Sequence, residues 1–190
     1  MDRQRPYPLA QEASTIGRAL RAAAPACGAT RVLAIDGRSG SGKSTLAAGL
    51  AERLGGAPVV SLEDLYGGWD GLEHGVTLVC AAVLEPLAAG APASVPRYDW
   101  HAAAWARPWT LDPPAELIVE GVGAGAQRLA RFTSVLVWIE LGEEARREHA
   151  LADRGDRAIY EPHWERWARQ EEEHYVRERP WERAAVCLRG

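Results

Sequence analysis

One glycine-rich stretch, GRSGSGKST at residues 37–45, limits what this chain can fold into more than any other. It satisfies G-x-x-x-x-G-K-S/T without a mismatch, and each fixed position has a physical task. Glycines reach backbone conformations that a Cβ blocks, so successive N–H groups can turn inward towards one anion. The turn leads into a helix, whose first N–H groups and dipole favour negative charge. Lys43 places a cation beside phosphate oxygens, and the Ser44 hydroxyl offers an oxygen ligand to Mg²⁺. The flanks agree with this reading. Residues 31–36, RVLAID, read as a short buried strand, and residues 44–54 carry Leu46, Leu50 and Leu54 on one helical face. Gly37, Ser39, Gly40, Ser41, Gly42, Lys43, Ser44 and Thr45 are the residues expected to hold a nucleoside triphosphate.

The rest of the chain alternates strand and helix patterns. Residues 19–29 form an alanine-rich helix candidate, Gly55-Gly56 stops the helix after the turn, and residues 58–62 read as a second strand. Val76, Val79, Val83 and Leu87 have helical spacing, with Pro86 predicting a distorted last turn. Residues 115–120 and 134–139 are strand candidates. A helix opens at Glu143-Glu144, another spans about 161–177, and residues 184–188 close the chain as a strand. Such alternation predicts an α/β fold with a parallel sheet of about five strands and helices on both faces.

In a parallel sheet the strand C-terminal ends share one edge, and ligands bind there. Asp36, the Glu63-Asp64 pair and Glu120 fall at three of those ends. Acids beside a triphosphate have two uses: to accept a proton from an attacking hydroxyl or orient it, and to hold Mg²⁺ directly or through water. Asp36 immediately precedes the glycine-rich turn, so its simpler role is to shape that turn.

Four segments in the right order resemble the uridine kinase and phosphoribulokinase branch of P-loop kinases. They are IDGRSGSGKST at 35–45, LEDLYGGWDG at 62–71, VPRYDW at 95–100 and LIVEGVGA at 117–124. The resemblance implies the three-layer P-loop NTPase fold with a small helical lid, ATP and Mg²⁺ as cofactors, and a nucleoside or sugar-like acceptor. By the same resemblance Lys43 and Ser44 serve phosphates and metal, and Glu120 is a metal-linked acid. Glu63 falls on the strand-end aspartate that activates the acceptor, with Asp64 the adjacent alternative. Tyr66 and Tyr98 match family tyrosines, Tyr98 one that lines the nucleoside pocket. The sequence departs from the family at Ala103, where the family has histidine, and at Trp100, where it has phenylalanine. His101 is the nearby substitute.

A kinase of this kind needs cations over the γ-phosphate and a closing element. Arg146, Arg147, Arg154 and Arg157 cluster at the place of the family's lid, residues 143–160; Arg154 and Arg147 are the expected phosphate contacts. Eight tryptophans against one phenylalanine are unusual. Trp164 and Trp167 read as a packing face, whereas Trp69, set among glycines beside Asp70, is expected to face the acceptor. The whole of 1–190 reads as a single domain whose first 30 residues are a helical extension.

A formal charge of −4 predicts no nucleic-acid partner. No run reaches the ~18 apolar residues of a membrane span, the start lacks a signal-peptide core, and three scattered cysteines suit a reducing compartment. The expected location is the cytoplasm and the expected partner a small-molecule acceptor, with homo-oligomerisation left open. Two other classes share a phosphate-binding turn of this kind. A P-loop ATPase or regulatory module would show other signatures, and the N-K-x-D of a GTPase is missing. A degenerate kinase acting as a binding partner would explain Glu63 and the missing histidine.

Overall fold

The computed structural model describes residues 9–151 and 160–190. The apolar run after Thr30 becomes β1, Arg31–Gly37. It sits at the middle of the sheet because neither of its faces is polar. Beside it run β5, Glu116–Glu120, and β6, Val135–Glu140; β2, Val59–Ser61, and β7, Val186–Arg189, form the two edges. The order is β2-β5-β1-β6-β7, and every neighbouring pair is parallel. Alternation along β1 divides the core. Leu33 and Ile35 join Ile16 and Leu20 of α1, Leu9–Ala22, and Leu46 and Leu50 of α2, Lys43–Arg53. Val32 and Ala34 face the opposite layer with Val79, Val83 and Leu87. The result is the three-layer α/β fold expected from the strand–helix alternation.

Three local departures have physical causes. The N-terminal helix ends at Ala22 rather than running to residue 29, because Pro25 follows and Gly28 turns with φ 61° into a Cys27–Thr30 bridge. The helix expected near 75–87 begins at α3, Leu72–Val79, widens into a π-helical turn at Cys80–Leu84 and finishes as α4, Glu85–Ala88. Pro86 has no N–H to give, and the π turn just before it absorbs the mismatch, one turn earlier than its position suggests. An antiparallel hairpin, β3 Ala93–Asp99 with β4 Ala104–Leu111, stands apart from the main sheet. Every residue of β4 before Leu111 is exposed, so no buried alternation announced it.

The last layers are α5, Glu143–Ala150, and α6, Trp164–Glu178, where Trp164 and Trp167 are buried as a packing face. No helix among the described residues is long and apolar enough to cross a membrane. All three cysteines are free; burial pushes the Cys27 and Cys80 thiols up to about 11, which keeps them protonated and inert.

Asp36 is completely buried at the end of β1. Its Oδ1 accepts from Gly37 N (2.7 Å), Gly123 N (3.0 Å) and the Tyr175 hydroxyl (2.7 Å), and its Oδ2 from Gly125 N (2.8 Å). These bonds use the carboxylate to join the glycine-rich turn, the loop after β5 and α6. Asp36→Asn sets an amide NH₂ against at least one of those donors and should cost about 1–3 kcal/mol of unfolding free energy. The measurement is a lower urea midpoint at unchanged slope; a wild-type midpoint would refute this role.

Candidate functional site

The strand ends are level. Ile35 and Ser61 both pair in register with Glu120, which brings the ends of β1, β2 and β5 to one line along the sheet edge. From the end of β1 the glycine-rich turn rises into α2, whose N-cap, Gly42, has φ 95° and no side chain with which to cap the helix. The first amides of α2 therefore face the turn without a side-chain acceptor from the N-cap, as an anion site requires. Lys43 is buried and folds back on its own turn, Nζ donating to the Arg38 carbonyl at 3.1 Å. Ser44 Oγ lies 3.3 Å from both carboxylate oxygens of Glu120. Ser41 is fully buried, Ser39 and Gly42 half-buried, and Thr45 exposed on the following helical turn.

Helices α5 and α6 grip the outer arm of the turn. Arg146 is buried and donates to Leu141 O (3.1 Å) and Ser39 O (3.3 Å), while His149 Nδ1 reaches Gly40 O at 3.2 Å. A side chain on Gly40, where φ is 78°, would overlap the Arg146 carbonyl oxygen. From α6, Glu171 is 1% exposed and accepts from Ser39 N (2.8 Å) and Trp167 Nε1 (2.9 Å). Arg38 and Arg146 stand 3.9 and 4.0 Å from that carboxylate.

Of the two adjacent arginines on α5, Arg146 is the one at the turn. Arg147, expected as a phosphate contact, is exposed on the outer face of the helix, because one residue of advance turns a side chain by more than a quarter of a circle. Arg154 and Arg157 lie outside the described residues. Sequence reasoning missed Glu171, although a signal was present. It interrupts the apolar stripe of Trp164, Trp167 and Tyr175 with a carboxylate at helical spacing, and a buried acid needs a partner.

On the other side, Glu63 and Asp64 occupy a single 3-10 turn, Leu62–Leu65, at the end of β2. The Ser61 hydroxyl caps this turn by accepting from Glu63 N (3.3 Å), and Trp100 Nε1 donates to the Glu63 carbonyl (3.1 Å). Glu63 is exposed. Asp64 is half-buried, and that burial raises its pKa above the usual carboxylate value against a smaller lowering by Arg97. Tyr66 is buried, its hydroxyl donating to Val122 O at 2.9 Å, so it forms the floor beneath this turn.

Trp69 does not stand free between its glycines. It stacks on His163 (4.5 Å, 21°) and meets Trp100 (4.7 Å) and Tyr160 (5.3 Å), while Gln170 donates to its carbonyl. Tyr98 lies edge-on to Trp100 and Trp105, both at 5.3 Å, and extends this aromatic wall into the hairpin. His101 is exposed in the hairpin turn, its N–H bonded to Asp99, and Asp70 is paired with Arg166.

This arrangement is the fold and phosphate-loop geometry of the P-loop NTPase class. No family model matches the chain, and no curated protein does. Two solved structures, each provisionally described by activity, share the fold. One is a uridine kinase from Bacillus stearothermophilus, similar with a TM-score of 0.71 at 19% identity over 96% of this chain and 100% of the other. The second is a fructose transport system kinase from Silicibacter sp. TM1040, with a TM-score of 0.63 at 19% identity over 96% and 99%. The chain therefore shares the fold of both structures across nearly its whole length.

Two glycines test the packing of the turn. Gly40→Ala should lose at least about 2 kcal/mol, from positive φ and the collision with α5. Gly49→Ala, where nothing lies within 4 Å of the new Cβ, should gain about 0.5–1 kcal/mol from helix propensity. Thermal unfolding of both variants decides; shifts of the same sign would contradict the geometry.

Proposed function

We propose that this chain is a small-molecule kinase that transfers the γ-phosphoryl of Mg·ATP to a hydroxyl of a nucleoside or related sugar-bearing metabolite. Glu120 carries this reading, because it stands between the two halves of the site. Its side chain meets Ser44 of the phosphate loop, and its backbone is in register with Ser61, two residues before Glu63. The names of the two similar structures support it, since uridine and fructose both offer sugar hydroxyls.

The donor set suits Mg²⁺. A hydroxyl and a carboxylate are hard oxygen ligands, and a cation that keeps phosphate and water in its shell asks little more of the protein. Ser44 and Glu120 would hold it, Glu120 directly or through water, and there it would neutralise charge on the phosphates. The chain's own groups supply the rest. Amides of Gly40 to Ser44 surround the phosphates, and Lys43 turns from the Arg38 carbonyl towards them. Arg146 meets the charge that develops on the moving phosphoryl. Glu63 or Asp64 takes the proton of the acceptor hydroxyl, and the wall of Trp69, Trp100 and Tyr98 keeps water from competing for the phosphoryl.

In a screen of nucleosides and sugars, ADP release from ATP should rise severalfold with one acceptor. Equal release with and without every acceptor would favour an ATPase instead. Lys43→Ala should reduce transfer by at least about a hundredfold with an unchanged circular dichroism spectrum.

The pH profile separates the two candidate bases. A base works ionised, so activity falls as pH drops through its pKa, and burial raises that point for Asp64 from its ordinary value. Arg97 lowers it, so Arg97→Ala should move the acid limb of kcat/KM to higher pH if Asp64 is the base. An unmoved limb assigns the role to Glu63.

A further inference from the structure

Tyr160 stands where the donor and acceptor halves of the site meet. Its ring is held by Trp69 at 5.3 Å and Trp164 at 5.8 Å, both edge-on. The hydroxyl is buried beside the Ser39 side chain of the phosphate loop, within reach of the charges of Glu171, Glu63 and Arg146. Yet apart from Ser39, whose hydroxyl is placed to donate to it, Tyr160 Oη meets no hydrogen-bond partner among the described residues, and its own proton has no acceptor there. A buried hydroxyl left in this state costs stability, and a phenylalanine would fill the same space without that cost. Packing alone gives the Tyr160 proton no task.

The groups around it suggest one. Ser39 belongs to the loop that would carry the donor, Glu63 to the turn that would face the acceptor, and Arg146 to the helix that closes over the loop. The hydroxyl thus adjoins the phosphate loop at Ser39, while its ring is seated against Trp69 of the turn on the other side of the site. Resting on the kinase reading above, we infer that Tyr160 is a further catalytic residue, whose hydroxyl donates a hydrogen bond to the phosphoryl group as it passes from nucleotide to acceptor.

In that step the acceptor oxygen forms a bond to phosphorus as the bond to the β,γ-bridging oxygen breaks. ADP leaves with that electron pair, and the acceptor proton goes to Glu63 or Asp64. Tyr160 keeps its own proton throughout, as burial favours by raising the phenol pKa well above its ordinary value. The contribution of the hydroxyl is electrostatic. It is aimed beforehand at charge that appears only during transfer, so ground-state binding gains little from it.

Tyr160→Phe removes only this oxygen and leaves the ring contacts with Trp69 and Trp164. The expected result is a fall in kcat of about a hundredfold, with both KM values within about twofold, and an unfolding midpoint equal to or above that of the wild type. A wild-type kcat overturns the inference, as does a loss of kcat accompanied by a lower midpoint, which would make the hydroxyl structural.

A second measurement does not depend on the acceptor. ADP with aluminium fluoride, a stand-in for the phosphoryl in transit, should bind Tyr160→Phe at least about tenfold more weakly than wild type, with ADP alone unchanged. Equal changes for the two probes overturn the assignment. If no acceptor stimulates the wild-type chain, the kinase reading fails, and this second measurement alone decides Tyr160.

Discussion

The carboxylate of Asp36 is the constraint on which the rest of the structure depends. A buried charge is tolerated only when its oxygens are satisfied, and here four donors from three segments do so. The bond to Gly37 sets the start of the phosphate loop. Those to Gly123 and Gly125 fix the loop that follows Glu120, and the bond from Tyr175 docks α6. One side chain thereby holds in register the phosphate loop, the loop after Glu120 and the helix that supplies Glu171. Removing it would loosen all three together.

The same logic recurs one layer out. Glu171 is buried, so its charge has to be answered, and the Ser39 amide, the Trp167 indole and two arginines answer it. The arrangement presses the outer arm of the phosphate loop against α5 and α6 while leaving the amides of α2 open to a ligand. It also accounts for the aromatic wall. Tyr66 packs on Trp167 at 4.7 Å and Trp69 meets it at 6.5 Å, so the helix that holds the phosphate loop also supports the segment that follows β2. The glycine-rich turn and the turn after β2 share one support.

The central strands and the phosphate loop were legible in the sequence because both depend on local rules. The uninterrupted apolar run of residues 32–35 leaves no alternative to a strand buried on both faces, and the glycine spacing allows few turns. The Ser44–Glu120 pair was legible for a related reason, since parallel topology brings strand ends together wherever they fall in the chain. Long-range choices were not legible. Nothing local distinguishes Arg146 from Arg147; only the packing of α5 on Gly40 does. The hairpin of β3 and β4 escaped because its exposed strand has no buried face to leave a pattern. The partners of Trp69, expected to face the acceptor, were not legible either, because they come from the hairpin and from the residues around α6. Arg154, expected in the lid, lies outside the described residues.

The central claim is that the bend between β1 and α2 wraps a triphosphate while Glu120 faces the metal that accompanies it. A crystal structure of the chain with Mg²⁺ and a nonhydrolysable ATP analogue tests this most directly. The account requires the phosphates against the amides of Gly40 to Ser44, with the cation on the Ser44 hydroxyl and Glu120 bound to it directly or through one water. An empty bend, with the analogue elsewhere or absent at saturating concentration, would contradict it.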